Sequence, residues 1–128
     1  MADISVLHQS EGVRLNPDRV VALYAELGEA RAEAVMCRSI EELAVQIAAA
    51  QQAAQAGQAG ALVEAAARLA RLAEQIGMAS LARVAGDVAQ TARRGDSAAL
   101  AATLARLVRI GDRSLTAVWD LQDMSLQP

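Results

Sequence analysis

The stretch ALVEAAARLARLAEQIG, residues 61–77, decides the fold, because its apolar residues recur at steps of three and four. This spacing predicts a helix with one apolar stripe, formed by Leu62, Ala65, Ala66, Leu69, Leu72, Ala73 and Ile76. The opposite side carries Glu64, Ala67, Arg68, Arg71, Glu74 and Gln75. Gly77 is predicted to end the helix, since glycine readily adopts the left-handed conformation found at helix C-termini.

The composition extends this prediction to the rest of the chain. Of the 128 residues, 54% are hydrophobic but only 2% are aromatic, and phenylalanine is absent. A core of alanine, leucine, valine and isoleucine suits close packing of helices, whereas strands favour β-branched and aromatic runs. The length predicts one domain, and we therefore expect a single all-α domain.

Upstream of the central stretch, two further helices are predicted. Asn16-Pro17-Asp18 is typical of a helix start, with an N-cap, a proline at the first helical position and an acidic first turn. This helix is short and ends at Gly28. A longer one follows over about 30–56, with an apolar stripe of Met36, Ile40, Leu43, Ile47, Ala50 and Ala54. Residues 1–15 show no sustained periodicity and are predicted to form an arm.

Downstream, a fourth helix is predicted over 79–94, with Leu81, Val84, Ala85, Val88 and Ala92 inward. Asp96 is the expected N-cap of a fifth helix. There an apolar register continues across Gly111 and predicts one helix to about residue 122, with a break at Gly111 as the alternative. Its inward positions are predicted to be Leu100, Leu104, Leu107, Leu115, Val118 and Gln122, and residues 125–128 are expected to fray.

Four long amphipathic helices joined by short turns predict an antiparallel up-and-down four-helix bundle, with the short N-terminal helix covering one end. The domain is expected to span residues 16–124. Because Cys37 is the only cysteine, a reducing compartment is favoured. The sequence shows no leader pattern, and no apolar run approaches the roughly 20 residues of a membrane span. With a net charge of -3, nothing indicates nucleic-acid binding, and we expect a bacterial cytoplasmic protein.

Residue patterns of catalytic and metal sites are missing from the sequence. It has no His/Cys/Asp cluster at metal-ligand spacing, no glycine-rich phosphate loop and no Glu-x-x-His motif. The single histidine, His8, lies in the predicted arm. We therefore expect no catalytic residue, no metal and no cofactor, and a chain that is not an enzyme.

From Asn16 to about Leu121, the order of elements resembles histidine-containing phosphotransfer (HPt) domains, the four-helix carriers of bacterial phosphorelays. The resemblance rests on the first helix ending in AELG, on AQAGQAGALVEAA and LARLAEQIG, and on ARRGDSAALAATLARL with its Arg-x-Gly-Asp type turn. It implies an HPt-like bundle whose third helix presents the active motif on its outward side.

That motif reads His-x-Leu-Lys-Gly-Ser in the family, followed five residues later by glycine. Anchoring it on Leu69 and Gly77 places Ala67 at the phosphorylated histidine, and the remaining motif positions become Ala70, Arg71 and Leu72. A methyl group cannot act as the nucleophile that accepts a phosphoryl group. The resemblance therefore implies a docking module without its reactive group.

These observations predict a non-catalytic HPt-like signalling adaptor that binds a receiver domain or a histidine kinase without carrying phosphate. The partner-binding residues are predicted to be Glu64, Ala67, Arg68, Arg71, Glu74 and Gln75. A plain solvated face is the simpler interpretation of the same residues. Two other functions stay open: a phosphorelay carrier with an atypical acceptor, and a self-associating structural bundle whose homo-oligomer would bury the strip from Glu64 to Gln75. Trp119 is expected to pack against the N-terminal arm, with a homodimer contact as the alternative.

Overall fold

The computed structural model describes residues 16–126, and in that range the chain folds into helices joined by short turns. Within these described residues, five helices pack together and no strand occurs, which confirms the all-α fold class. They are α1 (Pro17–Leu27), α2 (Glu29–Gln55), α3 (Ala59–Gln75), α4 (Ala79–Arg94) and α5 (Ser97–Leu126). The predicted arm of residues 1–15, with His8, lies outside the described residues.

Helix α1 begins where the Asn-Pro-Asp sequence predicted. The Asn16 side-chain oxygen accepts hydrogen bonds from the backbone N–H groups of Asp18, at 3.1 Å, and Arg19, at 3.3 Å. These bonds satisfy two of the donors that a helix N-terminus leaves unpaired. Gly28, with a φ of 80°, ends α1 and leads directly into α2.

Helix α3 is the most extensively packed element of the fold. It lies against both α2 and α4, α5 packs on α4, and α1 packs on α2, whereas contact between α2 and α5 is sparse. Of the seven α3 residues predicted to face inward, only Leu72 is half-buried rather than buried. Ala66, Leu69 and Ala73 are each 0% exposed. The small alanine side chains let the neighbouring helices approach closely.

Helices α4 and α5 are joined by polar contacts as well as by the core. The hydroxyl groups of Thr91 and Thr103 lie 3.1 Å apart across this pair of helices. At the start of α5, the Asp96 carboxylate accepts a hydrogen bond of 3.1 Å from the Ala99 N–H, as expected of the predicted N-cap. The inward residues predicted for α4 are all buried.

The inward face of α5 differs from the prediction. Leu107, Ile110 and Ser114 are buried, whereas three predicted inward leucines are only half-buried, namely Leu100, Leu104 and Leu115. The core is formed by the side of α5 that meets α4, and the sparse contact with α2 leaves the leucine stripe at its edge. The side chains of Val118, Trp119 and Gln122 lie outside the described part.

The C-terminal end of α5 also differs from the prediction. The helix continues to Leu126, past the predicted end near residue 122 and into the segment expected to fray. Between Gly111 and Pro128 the sequence contains no helix-breaking residue, so no local signal ends the helix earlier. Residues 127 and 128 lie outside the described range.

Gly111 has a packing role within an uninterrupted α5. The helix passes through it without a break, which confirms the continuous helix. A Cβ atom at this position would lie 2.6 Å from the Ile47 Cδ1 atom of α2. The missing side chain therefore lets α2 and α5 touch at this point, since any larger residue would require Ile47 to move.

Replacing Gly111 by alanine is expected to stabilise the protein less than the same change at Gly86, which is exposed and has nothing within 4 Å of an added Cβ. Gly86→Ala should raise the free energy of unfolding by up to about 1 kcal/mol through helix propensity. Gly111→Ala should fall short of that gain by up to about 1 kcal/mol, because the end of the Ile47 side chain must shift inside the core. Urea denaturation of both variants measures the difference.

Ile47→Val tests the cause, because it removes the Cδ1 atom that the new methyl would meet. In a double-mutant cycle, Ile47→Val should cost clearly less stability in the Gly111→Ala variant than in the wild-type protein. Additive effects of the two substitutions would show that this contact does not limit the packing.

Gly77 connects α1 to the turn between α3 and α4. Its φ of +80° lies in the left-handed region, as predicted, and its carbonyl accepts a hydrogen bond from the Asn16 N–H. A Cβ at this position would lie 2.9 Å from the Asn16 carbonyl oxygen and 3.3 Å from Val20 Cγ2. Glycine is therefore required here both for its backbone conformation and for the space that α1 occupies.

Gly77→Ala is expected to lower the free energy of unfolding by about 2–4 kcal/mol, the sum of left-handed strain and a clash with backbone atoms. Gly57→Ala is the matched control, since Gly57 also has a positive φ, +69°, but nothing within 4 Å of an added Cβ. It should cost only about 1 kcal/mol. Equal losses in thermal or urea denaturation would contradict a specific contact between Gly77 and α1.

Candidate docking face on the third helix

The outward side of α3 carries the residues predicted from the sequence to meet a partner. Five of the six are exposed, namely Glu64, Arg68, Arg71, Glu74 and Gln75. We call these five together with Ala67 the α3 face. From residue 64 to residue 75 the helix rises about 16 Å, which is long enough to contact a globular partner along three turns.

Ala67 is half-buried, and it therefore lies less open than a residue at the centre of a solvated face. Ala67 is not part of the buried core. It therefore belongs to the outward side of α3, as predicted, and not to the interior. Glu64 and Arg71 lie one helical turn before and after Ala67, so longer side chains flank its single methyl group. Ala67 forms a shallow position between longer polar side chains.

Charge on the α3 face is mixed, with two arginines and two glutamates at exposed positions. Arg71 stands one helical turn beyond Ala67, at the position where the resemblance to HPt domains implies glycine. A guanidinium group provides five donors in a rigid fork and suits recognition of carboxylates or phosphates on a protein surface. The face can therefore form directional polar contacts.

Helix α1 is attached to the C-terminal end of this face by a contact that the sequence did not predict. Arg19 donates a hydrogen bond of 2.9 Å from its Nε to the backbone carbonyl of Gln75. That carbonyl is one of the last in α3, where helices leave acceptors unpaired and favour positive charge. Because 56 residues separate the two partners, no local pattern could have indicated the bond.

A cleft of about 360 Å³ adjoins the α3 face at the same end. Ala70 and Glu74 of α3 form one wall, and the remaining lining residues are Asn16, Gly77, Ala79, Ala82 and Arg83. Arg83 is exposed on α4 and adds a cation across the cleft from Glu74. Arg83 and Asn16 were not predicted as site residues, because only the packing of α1, α3 and α4 brings them to this cleft.

A second polar cluster lies away from this face, on α1 and α2. Partial burial raises the pKa of Tyr24, and the nearby carboxylates of Glu33 and Glu29 raise it further, followed by Cys37. The phenol is therefore neutral at physiological pH and acts as a packing group. Cys37 itself is half-buried.

The described residues contain no group of three or more His, Cys, Asp or Glu side chains that could hold a metal ion. Within the same range no helix is long and apolar enough to cross a membrane. A scan against protein-family models gives no match to this chain. Searches of curated proteins and of solved structures likewise give none.

The orientation of α3 predicts that substitution by histidine affects stability little at Ala67 and strongly at the neighbouring Ala66. Ala67→His should change the free energy of unfolding by less than about 1 kcal/mol, since a half-buried edge position lets the imidazole reach water. Ala66→His should lower it by about 3 kcal/mol or more, because Ala66 is 0% exposed and the ring must enter the core. Urea denaturation of the two variants decides the matter, and similar losses would mean that α3 is rotated differently.

Proposed function

We propose that this protein is a non-catalytic, HPt-like signalling adaptor in the bacterial cytoplasm. It binds the receiver domain of a response regulator or a histidine kinase through the α3 face and carries no phosphate. The observation that supports this most is the pairing of Ala67 with the exposed Arg71 on the outward side of α3. The resemblance to HPt domains implies an imidazole and a glycine at these two positions.

The packing of the helices supports the finer fold that this function requires. We propose that α2 to α5 form an antiparallel up-and-down bundle with α1 covering one end. Consecutive helices pack on one another, and the turns between α2 and α5 are short. Short turns favour antiparallel neighbours, since a parallel pair needs a connection that returns along the whole helix.

The absence of phosphoryl transfer is argued from the residues at the motif positions. Ala67 offers no nucleophile, and Ala70 packs partly against the core with no charge to hold phosphoryl oxygens. Histidine occurs in this chain only at position 8. A carrier with an atypical acceptor would therefore need a residue outside the α3 face, and this remains the alternative function.

Binding through the α3 face depends on its arginines. Arg68, Arg71 and, across the cleft, Arg83 are exposed and can pair with carboxylates on the partner, while Glu64 and Glu74 can pair with its cations. Arginine often contributes most of the binding energy at protein interfaces, and Arg71 lies near the middle of the face. Because these charges are solvated, we expect affinity to fall as ionic strength rises.

The binding test uses purified receiver domains and kinase dimerisation regions from the same genome, titrated with this protein by calorimetry. For the true partner, Arg71→Glu should weaken binding at least about ten-fold, equivalent to about 1.4 kcal/mol. Arg106→Glu is the matched control: it makes the same charge change at an exposed position of α5, and it should leave affinity within about two-fold. If the two variants bind equally well, the α3 face is not the docking surface.

Phosphate transfer is tested separately with a phosphorylated receiver and with an autophosphorylating kinase. We expect no acid-labile phosphoryl label on this chain after incubation with either protein. Label that appears on the wild-type chain would contradict the adaptor function and support the atypical carrier. Its loss in His8→Ala would then identify the acceptor.

A further inference from the structure

The sparse contact between α2 and α5 leaves an apolar groove on the surface. The groove has a volume of about 500 Å³, and its floor includes the half-buried side chains of Leu100, Leu104 and Val108 from α5. Gln51 and Ala54 line it from α2. Three sizeable apolar side chains thus remain partly in water, and covering their exposed parts would be favourable.

The two chain segments that supply most of the groove's lining are free of charge over an unusual length. No Asp, Glu, Lys, Arg or His occurs between residues 43 and 63, or between residues 97 and 105, although 21% of the chain is charged. These two segments supply every lining residue of the groove except Val108. Depletion of charge is the compositional signal of the centre of a protein interface.

This pattern identifies one class of occupant. In a two-fold symmetric contact, residues near the axis meet their own copies, so a charge there would face an identical charge. A groove adapted to an acidic or basic partner helix would carry opposite charges on its rim, and these segments offer none. We propose that the groove between α2 and α5 is the interface of a homodimer, in which a second copy of this chain covers Leu100, Leu104 and Val108.

The expected dimer is weak and depends on concentration. Three turns of α5 beside the end of α2 form a face of about 18 Å by 20 Å. That area, about 360 Å², is less than half of the roughly 800 Å² that each partner buries in a stable interface, so the contact is expected to be transient. The surface is also separate from the α3 face, so the inference does not depend on the proposed function.

Sedimentation equilibrium over a wide concentration range tests the proposal with the full chain. Ala101→Glu places a charge inside the groove, whereas Ala102→Glu makes the same change on the adjacent exposed residue, which does not line it. Both positions are exposed, and circular dichroism should show unchanged helix content. We expect a wild-type dimer that Ala101→Glu weakens at least about ten-fold and that Ala102→Glu and Arg71→Glu leave unchanged.

Three results would overturn the proposal. A wild-type protein that stays monomeric at every concentration would leave the groove to a different occupant. A dimer that Ala101→Glu does not weaken, or that both glutamate variants weaken equally, would use another surface. Loss of the dimer in Arg71→Glu would place self-association on the α3 face instead.

Discussion

The structure depends on the close packing of α3 between α2 and α4. Ala66, Leu69 and Ala73 are fully buried, and the small alanine side chains let both neighbours approach the helix backbone. This packing fixes the rotation of α3 about its axis. Because Leu69 points into the core, the residues of the α3 face lie on the opposite side of the helix, where five of the six are exposed to solvent.

The remaining contacts hold the ends of this arrangement. At the C-terminal end of α3, the start of α1 is held by two hydrogen bonds. The Asn16 N–H donates to the Gly77 carbonyl, and Arg19 donates to the Gln75 carbonyl. On another side, the contact of Gly111 with Ile47 joins α5 to α2, and beside it the two helices leave the apolar groove. Two surfaces of different chemistry result: a charged face on α3 and an uncharged groove. A dimer formed through the groove would display two α3 faces to a dimeric partner, which raises effective affinity without new contacts.

Much of the fold could be predicted from the sequence because alanine-rich helices have clear periodicity and strong terminal signals. The bounds predicted for α4 match the structure, and the N-caps at Asn16 and Asp96 were confirmed. For the inward face of α5 the prediction holds only in part, since Leu107 is buried whereas Leu100 and Leu104 pack against the core but stay half-buried. Periodicity locates a stripe on a helix, but only tertiary packing decides whether that stripe faces the core or a neighbouring gap.

The candidate site shows the same division between local and long-range information. The exposed residues of α3 followed from the helical pattern, since the side opposite a buried stripe must face water. The positions of Arg19 and Arg83 could not be predicted from this pattern, because these residues reach the site from other helices. The role of Gly111 was also hidden, as a glycine within a helix has no local signature that separates a tolerated residue from one required by a neighbouring side chain.

Backbone amide chemical shifts test most directly whether a partner docks on the α3 face. The isotope-labelled protein is titrated with a receiver domain or kinase dimerisation region that binds it. If the α3 face is the docking surface, shifts should concentrate on residues 64–75 and the first turn of α4, while amides of α2 and α5 around the groove stay unchanged. Shifts confined to the groove, or spread with no preference for the outward side of α3, would contradict that role.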